Sequence, residues 1–75
     1  MRIHPGETLK EIMKDRGFRC IDIMACTHLH YDEINNICNG LENIKEYQAE
    51  QLGILFDTGT QFWLNLQKNY DEEEE

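Results

Sequence analysis

Residues 62–71 read Phe-Trp-Leu-Asn-Leu-Gln-Lys-Asn-Tyr-Asp, and this stretch decides the fold of the chain. Its large apolar residues recur at helical spacing, which predicts an amphipathic helix over about 60–70. The residues on its apolar face are Phe62, Trp63, Leu66 and Tyr70. So much aromatic surface on one helix of a short chain indicates a core or a dimer interface rather than a ligand site.

Four further helices are predicted from apolar periodicity and from residues that start or stop helices. Their spans are Pro5–Arg16, Cys20–Thr27, Tyr31–Asn39 and Lys45–Phe56. The residues expected inside, with Phe18 as a plug after the first helix, are Leu9, Ile12, Met13, Ile23, Met24, Thr27, Ile34, Ile37, Cys38, Ala49, Leu52, Leu55 and Phe56. Two short helices around the turn at 28–30 form a helix-turn-helix pattern, so we expect a compact all-α domain of five helices.

The size and charge of the chain limit its partners. With 75 residues it is near the lower size at which one hydrophobic core suffices, so we expect a single domain over 1–71 that benefits from dimerisation. The net charge is −8, and five of the negative charges fall within 71–75, which leaves −3 elsewhere. We expect 72–75 to be a disordered acidic tail. Because readers of nucleic acids usually carry a basic surface, this charge argues against routine DNA binding.

Several classes of protein are disfavoured by the residues that the chain lacks. No apolar run is long enough for a membrane span and no signal segment is evident, so we expect a cytoplasmic protein without membrane contact. Cys20, Cys26 and Cys38 are odd in number and fall in predicted helices, which favours reduced thiols. Cys26, His28, His30 and Cys38 lack the paired spacing of a zinc site, and no catalytic or phosphate-binding motif is present. We therefore expect no metal, no cofactor, no catalytic residue and no enzyme.

A family resemblance rests on the two ends of the chain. The chain begins with His4-Pro5-Gly6-Glu7-Thr8-Leu9-Lys10-Glu11 and reaches Arg16-Gly17. It ends with Phe62-Trp63-Leu64-Asn65-Leu66-Gln67 and Tyr70-Asp71. Together with Asn39-Gly40 and Ile44, these segments resemble the HigA/VapI-type antitoxins of the XRE (Cro/phage-repressor-like) helix-turn-helix group. The resemblance implies a homodimeric five-helix repressor that binds operator DNA, and many of its relatives pair with a small ribonuclease toxin.

The second helix and the turn after it depart from the family pattern at four positions. Arg19-Cys20 stands where relatives carry Ser-Gln at the start of the second helix, so the glutamine that usually contacts DNA is missing. Met24 replaces an alanine that lets the second and third helices approach each other. His28 replaces the glycine of the turn, and a residue with a side chain must there adopt a positive φ or change the turn.

By the same resemblance, the surface that reads DNA or binds a partner lies at the start of the third helix. Its candidate residues are Arg19, His30, Tyr31, Asp32, Glu33, Asn35 and Asn36. Relatives place serine, arginine and threonine there, whereas this chain places two carboxylates. Asp32 and Glu33 admit three interpretations: they stabilise the helix dipole, bind a basic protein surface, or accept hydrogen bonds from cytosine.

Two functions remain open from the sequence. The first is an antitoxin and transcriptional regulator that binds operator DNA as a homodimer through its third helix and sequesters a toxin. The second is an acidic helix-turn-helix protein that has lost DNA binding and acts through protein–protein interaction. A phage or mobile-element inhibitor of a host nuclease or defence complex is one form of the second.

Overall fold

The computed structural model describes residues 2–73, and its secondary structure is helical throughout. The helices are α1 (Pro5–Arg16), α2 (Cys20–Cys26), α3 (Tyr31–Cys38), α4 (Glu46–Leu55) and α5 (Thr60–Glu72). The predicted all-α fold of five helices is confirmed, and no helix end differs from its prediction by more than two residues. Helix α5 extends into the segment expected to be a disordered tail, while Glu74 and Glu75 lie outside the described residues.

The helices pack in two groups. Helices α1 and α2 pack against α3, helix α4 packs along α5, and α1 also contacts α5. The largest apolar side chains that are fully buried between them are Leu9, Ile23, Ile34, Ile37, Leu52, Phe56 and Trp63. The Trp63 Nε1 donates a hydrogen bond to Thr58 Oγ1 at 2.8 Å, so this large side chain is buried with its polar atom satisfied.

The two ends of the chain meet at Tyr70. The His4 ring contacts the Tyr70 ring edge-on, with ring centroids 4.9 Å apart. The Arg2 guanidinium lies 4.1 Å from the centroid of the same ring, and Arg2 Nε donates to the Tyr70 carbonyl at 3.1 Å. The opening and closing motifs of the sequence therefore form one structural unit.

The start of α1 explains why His4, Pro5 and Gly6 occur together. His4 Nδ1 accepts a hydrogen bond from the Gly6 backbone N–H at 2.9 Å, and Pro5 occupies the first helical position, where it needs no hydrogen-bond partner. A methyl group on Gly6 would lie 1.8 Å from the Ile37 carbonyl oxygen. Only glycine allows α1 to approach α3 this closely.

Gln67 supplies a buried hydrogen bond between α5 and the connection that precedes α4. Its Oε1 accepts from the Ile44 backbone N–H at 2.8 Å, and its Nε2 donates to Asp71 Oδ1 at 2.9 Å. The Gln67 side chain is only 7% exposed, so the Ile44 N–H has no access to an equivalent water. The apolar pattern of the sequence did not predict this inward polar residue.

The core differs from its prediction on α2. Met24 is 37% exposed although it was expected to face inward, whereas Phe62, which was predicted to lie in the core or in a dimer interface, is 38% exposed. Helix α2 is only two turns long and buries just one residue, Ile23, while Leu29 enters the core from the turn that follows. Trp63 is the one fully buried member of the aromatic face of α5.

The pH dependence of stability should report on His4. Burial lowers the pKa of His4 below 6.5 and outweighs the opposite effects of the Glu42 backbone and the Glu7 carboxylate. The folded state therefore binds fewer protons than the unfolded state. The contribution of neutral His4 to the free energy of unfolding is fully present above about pH 6.5, the pKa in the unfolded chain, and is lost as the pH falls through the lower pKa of the folded state. We expect the free energy of unfolding, measured in urea, to decrease between about pH 7 and pH 5.

The variant His4→Asn keeps a side chain that can cap a helix but does not titrate in this range. It should flatten the pH dependence, whereas His28→Asn, which removes an exposed histidine, should leave it intact. An unchanged pH dependence in His4→Asn would exclude His4 as its source.

The substitution Gln67→Ala should destabilise the fold by about 1–3 kcal/mol, because it leaves the buried Ile44 N–H without an acceptor. The matched control is Gln61→Ala on the same helix, since among residues 2–73 the exposed Gln61 side chain bonds only to Asn65. This control should change stability by no more than about 0.5 kcal/mol in chemical denaturation. Equal effects of the two substitutions would contradict the role of Gln67.

Candidate nucleic-acid interface

The turn between α2 and α3 forms without glycine. Thr27 Oγ1 donates to the Ile23 carbonyl at 2.7 Å and accepts from the Leu29 backbone N–H at 3.2 Å. The His28 backbone N–H donates to Gln51 Oε1 of α4 at 3.0 Å. A residue that replaces the family's glycine must either adopt a positive φ or change the turn. His28 does not have a positive φ, so the turn itself is changed.

Glu33 is tied to α4 and does not project freely from the start of α3. One carboxylate oxygen, Oε2, accepts from the His30 backbone N–H at 2.9 Å and so caps the helix. The other, Oε1, accepts from Gln48 Nε2 at 2.9 Å and from the Tyr47 hydroxyl. The expectation of two exposed carboxylates at this surface therefore holds for Asp32 alone.

The charge of Glu33 is stabilised by these donors. Partial burial of the carboxylate opposes ionisation, but the hydrogen bonds from Tyr47, from Gln48 and from the His30 backbone outweigh it and lower the pKa of Glu33. The same contact raises the pKa of the Tyr47 hydroxyl, because the protonated phenol donates a hydrogen bond to the Glu33 carboxylate. At neutral pH Glu33 is a carboxylate with three hydrogen-bond donors from the protein.

Asn36 is also engaged inside the molecule. Its Nδ2 donates to Glu42 Oε2 at 2.6 Å, across the end of α3 and the connection to α4. Asn35, its neighbour, is half-buried and makes no side-chain hydrogen bond within residues 2–73. Of the two asparagines proposed for the surface, Asn35 retains its full capacity to bind a ligand.

The remaining candidates lie on the surface of the first turns of α2 and α3. Tyr31 is 51% exposed and Asp32 is exposed, and neither side chain has a polar partner in the described part of the chain. His30 precedes α3 and is exposed. Arg19 precedes α2, where its backbone N–H and its Nε donate to Asp22 Oδ2 at 2.7 and 3.4 Å.

Lys45 and Tyr47 extend this surface, and sequence reasoning missed both. Lys45 immediately precedes α4, and its ammonium group is exposed without a polar partner among residues 2–73. The bond between Gln48 and Glu33 brings the first turn of α4 against the first turn of α3. The sequence does contain a signal for these two helix starts. His30 and Glu33 are three residues apart, as are Lys45 and Gln48, and this is the spacing of a capping box.

The cysteine and histidine residues that sequence analysis considered as metal ligands are not brought together. Cys38 is buried with its Sγ 3.8 Å from Met13 Sδ, and burial raises the pKa of its thiol to about 11. Cys26 is exposed on α2. No group of three potential ligands converges anywhere in residues 2–73.

Helix length and polarity also bear on membrane contact. None of the helices between residues 2 and 73 combines the length and the apolar character that crossing a bilayer requires. The surface around α3 is instead made of short helices whose first turns carry polar and charged side chains.

The chain is similar to solved structures of antitoxins and to a transcriptional regulator. An addiction-module antidote protein of the HigA family from Coxiella burnetii is 34% identical, with a TM-score of 0.85 over 95% of this chain and 79% of that chain. The Pseudomonas aeruginosa antitoxin HigA, solved with the higBA promoter, is 32% identical, with a TM-score of 0.90 over 95% of this chain and 78% of that chain. An uncharacterized HTH-type transcriptional regulator from Haemophilus influenzae is 33% identical over 67 residues, which are 88% of this chain.

The match to the Haemophilus influenzae protein spans 63% of that protein's length. No sequence model of a protein family matches the chain. The relatives are antitoxins and transcriptional regulators, and their likeness extends over nearly all of the five helices. By identity, coverage and fold, the chain belongs to the HigA family of helix-turn-helix antidote proteins.

Proposed function

We propose that this chain is an antitoxin and transcriptional regulator that binds operator DNA as a homodimer through the first turn of α3. The observation that carries the proposal is its likeness, at a TM-score of 0.90, to an antitoxin solved with its promoter. Another structure from Pseudomonas aeruginosa, solved with operator DNA, is similar at the same TM-score. Both likenesses include the helix-turn-helix region.

The exposed side chains of α3 suit contacts with base edges. Tyr31 offers an apolar ring to a thymine methyl group, Asn35 can bond in two places to adenine, and Asp32 can accept from the amino group of cytosine. The half-buried Glu33 is already hydrogen-bonded within the protein, so its charge repels phosphate less than an exposed carboxylate would. Base contacts therefore come from Tyr31, Asp32 and Asn35.

Phosphate contacts come from the flanking helices. Arg19 precedes α2 and Lys45 precedes α4, so in the sequence they lie on either side of α3. Both side chains are exposed. Two cations for each subunit are few, so binding depends less on salt than in strongly basic repressors. This accounts for how an acidic chain can serve a function that usually requires a basic one.

The dimer and the toxin partner are part of the same proposal. Residues of α5 and the N-terminal segment that stay partly exposed, including Ile3, Phe62, Leu66 and Tyr70, offer apolar area for a second copy. A toxin partner follows from membership in an antidote family, and the acidic surface suits a basic protein. The chain acts in the cytoplasm by binding, without catalysis.

The alternative of a protein-binding module that has lost DNA binding receives less support. Its main argument was a pair of free carboxylates at the start of α3, and Glu33 is engaged by α4. The relatives solved with DNA further favour the first function.

Replacing Asp32 with lysine should strengthen non-specific binding to duplex DNA, in which no contact with a particular cytosine is lost. The change Asp32→Lys removes an exposed negative charge at the DNA surface and adds a cation, so the dependence of log K on log salt should steepen by about one unit. Fluorescence anisotropy with a scrambled version of the DNA immediately upstream of the gene, repeated over a range of salt beside the unscrambled duplex, measures this. The control Asp15→Lys makes the same charge change on the exposed side of α1 and should leave the slope unchanged. Absence of binding by the unmodified chain at every salt concentration contradicts the proposed function.

A further inference from the structure

The starts of α3 and α4 are joined by a continuous set of side-chain hydrogen bonds. The His30 backbone N–H, which precedes α3, donates to Glu33. Glu33 accepts from Gln48, and Gln48 Oε1 in turn accepts from the Lys45 backbone N–H at 2.8 Å. Two helix-capping interactions, one for each helix, are thus linked through the contact between Glu33 and Gln48.

Tyr47 adds a second donor to the same contact. Its hydroxyl donates to Glu33 Oε1 and lies 3.4 Å from Gln48 Nε2. Gln48 is fully buried, whereas Tyr47 is 48% exposed, so the link runs from the interior of the protein to the surface. We call Glu33, Tyr47 and Gln48 the α3–α4 link.

We propose that Glu33 is a positioning residue that, through the α3–α4 link, fixes the first turn of α3 against the first turn of α4. This inference rests on the proposed function where it concerns DNA, since it assigns to Glu33 the placement of the residues that read bases. Glu33 itself contacts no base.

The packing of the helices gives such a link a role. Helix α3 packs on α1 and α2, whereas α4 packs on α5, and the two groups meet through α1 and α5 without extensive packing of α3 against α4. The turn before α3 also lacks the family's glycine and takes its backbone support from Gln51 of α4. Helix α4 thus holds the helix-turn-helix pair with three polar side chains, Tyr47, Gln48 and Gln51.

A capping role alone does not account for the arrangement. Capping of α3 requires only the bond from the His30 N–H to Glu33 Oε2. The opposite oxygen, Oε1, takes both donors from α4. A substitution at Tyr47 therefore weakens the link while leaving the cap of α3 intact.

The position of α3 relative to α4 matters for recognition because the two helix starts carry different kinds of contact. Tyr31, Asp32 and Asn35 are placed to reach base edges, whereas Lys45 is placed to reach a phosphate. If the helix starts move relative to each other, base contacts and phosphate contacts cannot both be made in register. Loss of the link should then reduce specificity more than it reduces non-specific affinity.

The test compares Tyr47→Phe and Glu33→Gln with the control Glu46→Gln. Glu46 is exposed in the first turn of α4 without a polar partner in the described part of the chain, so its substitution removes the same charge as Glu33→Gln but spares the link. Tyr47→Phe removes one hydroxyl and no charge. Each protein is studied under conditions in which circular dichroism shows it to be fully folded.

The first measurement is amide hydrogen exchange in the free protein. In both Tyr47→Phe and Glu33→Gln, the amide of Ile34 should exchange about five-fold faster or more, as expected for the loss of one hydrogen bond. The His30 amide should exchange faster only in Glu33→Gln, because Tyr47→Phe leaves the cap intact. The amide of Trp63 should not change in either variant. Unchanged exchange of the Ile34 amide in Tyr47→Phe overturns the positioning role, whatever the chain does with DNA.

The second measurement is affinity for a duplex selected by the unmodified chain from a random library, relative to affinity for a scrambled duplex. Tyr47→Phe and Glu33→Gln should lower this ratio about five-fold, with the salt slope of Tyr47→Phe unchanged. Glu46→Gln should keep the ratio and raise both affinities alike. Equal ratios in all four proteins overturn the inference. If the unmodified chain binds no duplex, the proposed function fails, and the exchange measurement still decides whether the link holds α3.

Discussion

Backbone N–H groups at the starts of short helices are the constraint on which this structure depends. Five helices with brief connections leave many such groups, and each one that is kept from water requires an acceptor. Here several of the acceptors are side chains, some of them close in the sequence and others more than twenty residues away. Gln67 serves the N–H of Ile44, Gln51 serves that of His28, and Glu33 serves that of His30.

These acceptors also determine how the helix groups are joined. Gln67 attaches α5 to the connection before α4, and Gln51 attaches α4 to the turn before α3. The apolar core joins the two groups through the contact of α1 with α5, but α3 and α4 are not packed extensively against each other. Side-chain hydrogen bonds from α4 therefore add to the apolar core in setting how α3 lies relative to α4.

The fold was predictable because its signals are local. Apolar spacing, the proline at the start of α1 and the glycine after it are read from neighbouring residues. The errors arose where burial depends on helices far apart in the sequence. Met24 is exposed because α2 is too short to bury more than Ile23, and Gln48 is buried because it meets Glu33 of another helix. The sequence indicated that the candidate site lies at the start of α3. It could not show that Glu33 and Asn36 have hydrogen-bond partners six or more positions away.

We propose that this acidic member of the HigA family reads DNA with the first turn of α3. Titration of the isotope-labelled chain with DNA from immediately upstream of its gene, followed by amide chemical shifts, locates the contact residue by residue. The largest changes should fall on Tyr31, Asp32 and Asn35 and at the start of α4, with smaller changes along α5. Changes concentrated on α5, or none at any salt concentration, would contradict the proposal.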